Sequence, residues 1–220
     1  MIRVKNVYKN YEGLEVLRGV SLEIKEGEIV SIVGTSGAGK STLLQIMGTL
    51  AKADSGIVEI NNKTMSNISA SHLSSFRNKE IGFIFQAHHL LPEFTALENV
   101  CLPSWIKGTR KKEAEKEATK LLSSLGLANR IHHKPMELSG GEQQRVAVAR
   151  ALINNPSVIF ADEPSGNLDT NSAKSLHELF FKLRDEYKQT FVIVTHNREL
   201  ALMSDRMLEM KDGKIINRVG

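Results

Sequence analysis

The chain has little of what stabilises secreted or membrane-spanning proteins. It contains one cysteine among 220 residues, Cys101, so it can form no internal disulfide, which is typical of a reducing compartment. Its apolar runs, such as Phe191-Val192-Ile193-Val194, are far shorter than the roughly 18 residues that a membrane-spanning helix needs. We therefore predict a chain that does not cross a membrane by itself, with Cys101 as a small buried hydrophobe.

The N-terminal segment lacks the pattern of a secretory signal peptide. Arg3, Lys5 and Lys9 are interleaved with apolar residues, and no uninterrupted apolar region of about 7–15 residues follows them. We therefore expect the chain to stay in the cytoplasm. Charge of one sign is not concentrated either: the net charge is +4, and the short basic run Arg110-Lys111-Lys112 is followed at once by Glu113. Such a run is typical of a solvated helix face, so a nucleic-acid-binding surface is not predicted.

What remains is the composition of a folded globular domain. The 220 residues, 41% hydrophobic and 25% charged, are enough to close one substantial core. The sequence shows no internal repeat, no low-complexity segment and no histidine and cysteine spacing typical of a zinc site. His132, His133 and His177 are expected to be solvated. The sequence therefore predicts a single domain.

Apolar periodicity predicts an α/β architecture. Residues 2–8 and 20–24 alternate apolar and polar side chains, which indicates an antiparallel β layer at the start of the chain. Continuous apolar runs at 29–33, 81–85, 157–161 and 191–195 are typical of parallel strands buried on both faces. Between Gln86 and about Asn155 apolar residues recur at three- and four-residue spacing, which favours helices.

The clearest motif is a phosphate-binding loop, Gly34-Thr35-Ser36-Gly37-Ala38-Gly39-Lys40-Ser41. Its small residues allow backbone N–H groups to wrap phosphates, while Lys40 reaches the β- and γ-oxygens. A strand precedes the loop, and a helix beginning near Lys40 points its N-terminus at the phosphates. Ser41 is the hydroxyl expected on Mg²⁺, and Thr42 supports the loop from the helix. The motif therefore predicts binding of a nucleoside triphosphate.

A second motif places two carboxylates at the end of an apolar strand, in Ile159-Phe160-Ala161-Asp162-Glu163. Successive side chains diverge there, so Asp162 can face a metal ion while Glu163 faces an attacking water. Phosphoryl transfer depends mainly on positioning and charge stabilisation, which is work that two such carboxylates can share.

A third motif identifies the family. Leu138-Ser139-Gly140-Gly141-Glu142, followed by Gln143-Gln144-Arg145, resembles the signature of ATP-binding cassette (ABC) ATPases. The resemblance covers nearly the whole chain. It implies an α/β fold: a phosphate-loop, RecA-like ABC ATPase core with an N-terminal antiparallel β layer and an inserted helical subdomain. The core would occupy residues 1–86 and 156–220, and the helical subdomain with the signature residues 87–155.

The resemblance also implies roles for single residues. Tyr11 would stack on adenine, Gln86 would contact Mg²⁺ and the attacking water, and His196 would meet the γ-phosphate. The resemblance implies that the signature approaches the γ-phosphate of ATP held by a second copy of the chain, where a helix N-terminus and close-approaching glycines favour an anion. The residues concerned are Ser139, Gly140, Gly141 and Glu142, and the segment 165–169 would contact that same copy. The implied cofactors are ATP and Mg²⁺, and the implied assembly is a homodimer.

A narrower resemblance lies within the family. The segment from Gln86 to Val100 closely resembles the ATPase subunits of lipoprotein-releasing systems. Glu163-Pro164-Ser165-Gly166-Asn167-Leu168-Asp169 is similar to the E-P-T-G-N-L-D of the wider group, which includes MacB-like export ATPases and FtsE-like cell-division regulators. Two residues depart from the family pattern: Ser165 replaces a threonine but keeps the hydroxyl, and Glu142 replaces a glutamine, as is common in this group. Neither puts hydrolysis in doubt.

This narrower resemblance implies a peripheral ATPase dimer on the cytoplasmic face of a bacterial inner membrane. It would lie beneath two transmembrane permease subunits and power the release of lipoproteins toward the outer membrane. Residues 88–94 would dock a cytoplasmic helix of those subunits, although they could instead only pack the helical subdomain. The alternatives are a MacB-like exporter of peptides or drugs, usually fused to its permease whereas this chain stops at Gly220, and an FtsE-like regulatory ATPase.

Overall fold

The computed structural model describes residues 1–219; Gly220, the last residue of the expected domain, lies outside the described residues. The strands are β1 (Ile2–Tyr11), β2 (Leu14–Ile24), β3 (Ile29–Val33), β4 (Ser55–Ile60), β5 (Lys63–Thr64), β6 (Ile81–Phe85), β7 (Val158–Asp162), β8 (Thr190–Val194), β9 (Arg206–Lys211) and β10 (Lys214–Val219). The α-helices are α1 (Lys40–Met47), α2 (Ala70–Glu80), α3 (Ala96–Lys107), α4 (Lys111–Ser124), α5 (Gly140–Leu152), α6 (Thr170–Tyr187) and α7 (Arg198–Met203).

The N-terminal strands form a four-stranded antiparallel sheet in the order β2-β1-β4-β5. In β1, which lies between β2 and β4, Ile2 pairs with Ile24 of β2 on one side and with Ile60 of β4 on the other. Ile2 and Val4 are buried, whereas Arg3 between them is exposed. The period of two in the sequence therefore matches the two faces of this sheet, and the predicted antiparallel β layer is confirmed.

The remaining strands form a six-stranded sheet in the order β10-β9-β3-β8-β7-β6. The strands from β9 to β6 run parallel, and β10 pairs antiparallel with β9. All five residues of β8 are buried. Continuous apolar strands thus lie at the centre of a parallel sheet covered on both faces, as the sequence predicts.

Two hydrophobic cores lie on opposite faces of this sheet, because alternate residues of one strand point to opposite sides. From β8, Val192 and Val194 enter the core shared with α1 and the antiparallel layer. Phe191 and Ile193 enter the core formed with α3 to α6. Cys101 is 0% exposed within this second core, which confirms it as a buried hydrophobe.

Helices α3, α4 and α5 follow one another between β6 and β7, where the periodicity predicts a helical segment. The sequence pattern does not predict α2, whose one buried residue, Phe76, gives no apolar periodicity. It also does not predict the hairpin of β9 and β10 around Asp212-Gly213, although Asp-Gly is a common hairpin turn. Among residues 1–219, no helix is both long and apolar enough to cross a membrane.

Candidate functional site

The predicted catalytic residues come from four neighbouring strands of the parallel sheet. Parallel strands end at the same edge, and ligands of α/β proteins bind beyond that carboxyl edge. The phosphate-binding loop follows β3, and His196 follows β8. Asp162 ends β7, Glu163 comes directly after it, and Gln86 follows β6. Because these strands are adjacent in the order β3-β8-β7-β6, segments distant in sequence meet at one cleft.

The cleft measures about 520 Å³, within the range of small-molecule sites. From the phosphate-binding loop and α1 it is lined by Gly34, Ser36, Gly37, Gly39, Lys40, Ser41 and Thr42. Gln86, Glu163 and His196 line it from the other strands, and Leu14 and Val16 from β2. Leu14 and Val16 are not predicted as site residues, because an apolar residue near a hairpin carries no sequence signal of ligand contact.

Lys40 folds back over the phosphate-binding loop. Its Nζ donates hydrogen bonds to the carbonyl oxygens of Gly34 and Thr35, both at 2.9 Å. Gly39 precedes α1 with φ 99°, and a side chain there would bring its Cβ within 2.8 Å of the Val16 carbonyl oxygen. Ala38 is buried behind the loop. The loop therefore exposes backbone and the Lys40 ammonium to the cleft.

Ser41 and Asp162 join the loop to β7. The Ser41 hydroxyl donates to Asp162 Oδ1 at 3.0 Å. Burial raises the pKa of Asp162 above its ordinary value, and the neighbouring charge of Glu163 raises it further, while the Ser41 hydrogen bond and Lys40 oppose the shift. The protein thus holds a partly desolvated carboxylate next to a hydroxyl, an arrangement that a cation would stabilise.

Glu163 and His196 form a second pair across the ends of β7 and β8. Glu163 Oε2 lies 2.8 Å from His196 Nδ1 and accepts from the His196 backbone N–H at 3.2 Å. Glu163 has φ 47°, which is costly for a residue with a side chain. Its backbone N–H donates to the Val194 carbonyl at 2.9 Å, which helps to hold this turn. The strained turn aims the carboxylate into the cleft.

Gln86 contacts the segment that follows Glu163. Its Nε2 donates to Asn167 Oδ1 at 2.8 Å, and Asn167 Nδ2 donates to the Gln86 carbonyl at 3.2 Å. The family resemblance predicts for Asn167 only a contact with a second copy. Its contact with Gln86 spans 81 positions of sequence, so no local pattern could have revealed it.

His177 differs from its expectation. We expected it to be solvated, but it is 4% exposed, and its Nε2 lies 3.0 Å from Ser165 Oγ. Burial lowers its pKa. It lies on the apolar face of α6, which also buries Leu176 and Phe180. The prediction was wrong because a histidine can occupy a core position once its ring nitrogen finds a partner.

The signature residues lie outside this cleft, at the start of α5. Ser139 caps the helix by accepting from the Glu142 N–H at 3.3 Å, and Glu142 accepts from the Ser139 N–H at 2.8 Å. Glu142 also accepts from Arg130 Nε at 2.9 Å. The hydrogen bond from the Ser139 backbone N–H is the main cause that lowers the pKa of Glu142. Gly140 is exposed, whereas Gly141 is buried.

Tyr11 also lies beside the cleft instead of lining it. It is 44% exposed at the end of β1 and pairs with Leu14, which does line the cleft. Lys9 Nζ lies 4.9 Å from the centroid of its ring.

The donor set at the cleft fits a hard cation bound with few protein ligands: Ser41 and Gln86 line the cleft, and Asp162 is hydrogen-bonded to Ser41. No group of three or more histidine, cysteine, aspartate or glutamate residues capable of holding a metal occurs in the part of the chain that the structure describes. Ser41, Asp162 and Gln86 offer oxygen atoms, the ligands that Mg²⁺ prefers. Mg²⁺ commonly takes one or two protein carboxylates and completes its shell with water and substrate phosphates.

The comparisons with known proteins agree with this geometry. The family model described as ABC transporter matches residues 17–166. The lipoprotein-releasing system ATP-binding protein LolD of Bacteroides thetaiotaomicron is 59% identical over 215 residues, covering 98% of this chain and 99% of that protein. LolD of Aquifex aeolicus is 49% identical, covering 100% of this chain and 97% of that protein.

Solved structures show the same fold. A dimeric bacterial ABC transporter cassette matches with a TM-score of 0.92 and 43% identity, covering 100% of this chain and 98% of that one. A structure of a post-hydrolysis cassette dimer bound to ADP and Pi matches with a TM-score of 0.92, 42% identity and the same coverage. The predicted fold class, an ABC ATPase cassette with an antiparallel layer and a helical region, is confirmed. The chain belongs to the ABC transporter family, as an ATPase cassette similar along its whole length to the lipoprotein-releasing ATP-binding proteins.

Proposed function

We propose that this chain is the ATP-hydrolysing subunit of an inner-membrane ABC complex that releases lipoproteins from the inner membrane toward the outer membrane. The observation that carries the proposal is the convergence of four strand ends on one cleft, in a chain 59% identical to a protein named for lipoprotein release. The cleft supports ATP hydrolysis, and the similarity to LolD supports the process that hydrolysis would drive.

The phosphate-binding loop would hold the triphosphate. The N–H groups of residues 34–39 and the N-terminus of α1 favour an anion, and Lys40 would exchange its bonds to the loop carbonyls for phosphate oxygens. Thr42 would support the loop from α1, and Tyr11 would stack on the adenine from the hairpin. These contacts position ATP without any covalent step.

Ser41, Asp162 and Gln86 would hold Mg²⁺, which when bound neutralises charge on the phosphates. Glu163 would accept the proton of the attacking water, and His196 would donate to the γ-phosphate. The 2.8 Å separation between Glu163 Oε2 and His196 Nδ1 supports these roles, since both side chains line the cleft and lie in contact.

A second copy of the chain would complete the site. Ser139, Gly140, Gly141 and Glu142 lie outside the cleft of their own protomer, at a capped helix N-terminus suited to an anion. In an ATP-sandwich dimer they would close over the γ-phosphate held by the other copy. The dimeric form of the similar solved cassette supports this assembly.

The division of the chain follows from these roles. Residues 1–86 and 156–220 would form the nucleotide-binding core, and residues 87–155 the helical subdomain that carries the signature. Gln86 lies at the junction, so its contact with bound nucleotide would be transmitted to the helices that follow.

Two transmembrane permease subunits would dock beside the segment 88–94, which would make the ATPase peripheral on the cytoplasmic face. Next to His89 lies a cleft of about 540 Å³ between β6 and helices α2, α3 and α5. Ile106 at its edge is 76% exposed and Leu91 nearby is 42% exposed. Arg150 holds the segment by donating to the carbonyls of His88 at 2.7 Å and His89 at 2.6 Å.

The test is affinity purification of tagged Glu163→Gln from native membranes in the presence of ATP, followed by mass spectrometry. A stalled cycle holds partners in place, so we expect two permease-like subunits and bound lipoprotein. The matched control adds Lys40→Ala to the same variant, which removes the phosphate contact and should release the partners. Recovery of a division-site partner, or of a drug-exporter permease without lipoprotein, would contradict the assignment to lipoprotein release.

A further inference from the structure

Gln86 makes a specific pair with Asn167 that orients its side chain. Asn167 Oδ1 accepts from Gln86 Nε2 at 2.8 Å, and Asn167 Nδ2 donates to the Gln86 backbone carbonyl at 3.2 Å. If the Gln86 carboxamide were turned over, its oxygen would face Asn167 Oδ1, and two acceptors would oppose each other. The pair therefore assigns the Gln86 nitrogen to Asn167 and leaves its Oε1 available to the cleft.

Gly166 provides the space for this arrangement. A Cβ at position 166 would lie 2.8 Å from Gln86 Nε2 and 3.0 Å from Gln86 Cδ. Any side chain there would push the Gln86 carboxamide away from Asn167. Two successive residues of one segment thus act on Gln86: Gly166 by making room and Asn167 by fixing the direction of the amide.

Two buried side chains, Gln144 and His177, contact the segment 163–167. Gln144 of α5, 0% exposed, donates from Nε2 to the Pro164 carbonyl at 2.7 Å. His177 of α6 lies 3.0 Å from the Ser165 hydroxyl, and both are buried. The Gly166 N–H donates to the carbonyl of Glu163 at 3.0 Å. These bonds fix the segment that begins at the strained Glu163 and ends at Asn167, as a strained turn requires.

We propose that Asn167 is a positioning residue that turns the Gln86 carboxamide oxygen toward the cleft, with Gln144 and His177 anchoring the segment that carries Asn167. This inference rests on the proposed role of Gln86 toward Mg²⁺ and water. Its chemical reason is that a cation and a water proton both require an acceptor oxygen. The segment then couples the carboxylate of Glu163 and the oxygen of Gln86 in one rigid unit.

The experiment measures kcat, KM and ATP affinity in the purified chain and its variants. Asn167→Leu keeps the approximate volume but removes both hydrogen bonds, and we expect kcat to fall about 10- to 100-fold because a small misplacement is sufficient to do so. The affinity for ATP in EDTA should stay within about threefold, since the phosphate-binding loop is untouched. Asn167→Asp retains an acceptor for Gln86 Nε2 but sets its second oxygen against the Gln86 carbonyl, so it should recover only part of the loss.

Matched variants separate positioning from general damage. Gly166→Ala should lower kcat as Asn167→Leu does, because its Cβ would collide with the Gln86 carboxamide. Asn171→Ala, at an exposed asparagine early in α6, should keep wild-type kcat. Circular dichroism and thermal melts would show that every variant compared is folded.

A double-mutant cycle with Gln86→Ala decides the outcome. If Asn167 acts through Gln86, the double variant has the kcat of Gln86→Ala alone, and the losses are not multiplicative. Multiplicative losses, or a wild-type kcat in Asn167→Leu, would overturn the inference while leaving the proposed ATPase function in place. A wild-type kcat in Gln86→Ala would instead overturn the proposed role of Gln86 and, with it, this inference.

Discussion

Glu163 Oε2 contacts His196 twice: it accepts a hydrogen bond from the His196 backbone N–H at 3.2 Å, and it lies 2.8 Å from the imidazole Nδ1. The two residues follow adjacent parallel strands, with Asp162 paired in register with Val194. A left-handed backbone at Glu163, φ 47°, turns its carboxylate toward the histidine. The side chain of His196 is 72% exposed and that of Glu163 is 19% exposed, so the histidine is the more accessible member of the pair.

Glu163→Gln should bind ATP but hydrolyse it about 100- to 10,000-fold more slowly. Glutamine keeps an oxygen that can accept from His196 and so preserves the geometry, but it cannot take a proton from water. The phosphate-binding loop remains intact, so the variant should still bind ATP. Because the bound ATP is hydrolysed slowly, the ATP-bound dimer should accumulate. Phosphate release and sedimentation with ATP measure the two effects; wild-type turnover would remove Glu163 from its proposed role.

Ser139→Arg should block ATP-dependent dimer formation without unfolding the chain. A long cation at the helix N-terminus opposes the macrodipole and fills the space that the γ-phosphate of the other copy requires. The control is Ser139→Ala, which removes the same helix cap at a cost of about 1 kcal/mol but adds no bulk. Analytical ultracentrifugation with ATP in the Glu163→Gln background measures dimerisation; a dimer of Ser139→Arg would contradict the proposed interface.

Asp162→Asn should raise the melting temperature of the nucleotide-free chain at pH 7 while lowering hydrolysis about 100-fold or more. Burial raises the pKa of Asp162, so the folded chain binds this proton more tightly than the unfolded chain. The free energy of unfolding of the wild type therefore falls as the pH rises above 3.8. Asparagine carries no charge at position 162, so Asp162→Asn avoids this loss of stability. Thermal melts at pH 7 and near pH 4 measure the difference in melting temperature between Asp162→Asn and the wild type. This difference should vanish at the lower pH.

Asp54→Asn is the matched control for the sign of that effect. The side-chain hydrogen bond from Lys9 and the backbone N–H of Asn10 hold the pKa of Asp54 below its ordinary value. Its ionised form therefore favours the folded state above pH 3.8, and asparagine should lower the melting temperature at pH 7. Melting-temperature changes of the same sign and size in Asp162→Asn and Asp54→Asn would contradict the role of burial at Asp162.

Cys101 should not react with a disulfide reagent at pH 8 while the chain is folded. Burial, aided by the charges of Glu115 and Glu98, raises the pKa of its thiol to about 11, and the side chain is 0% exposed. Only the thiolate attacks, so the reaction requires unfolding. Because the chain has one cysteine, one equivalent should be labelled in denaturant. Rapid labelling in buffer would show that the helical region opens locally.

The sequence predicts most of the architecture because its elements carry strong local signals. The run Ile29–Val33 and the glycines after it specify strand, loop and helix within a few residues. The weak elements were missed: α2 buries only Phe76, and its remaining side chains give no period. The placement of His177 was wrong because burial of a polar ring depends on a partner, Ser165, that no helical period can supply.

The sequence by itself determined the chemical groups of the site, since the phosphate-binding loop, the carboxylate pair and the signature are each contiguous and each depend on residue type at fixed spacing. Only the tertiary structure decided which groups meet. The order of the parallel strands brings Gln86 to Asn167 across 81 positions and Glu163 to His196 across 33. It also keeps Ser139 outside the cleft that Lys40 lines. The reason is physical: strand order is set by burial of both sheet faces, and no local segment of sequence encodes it.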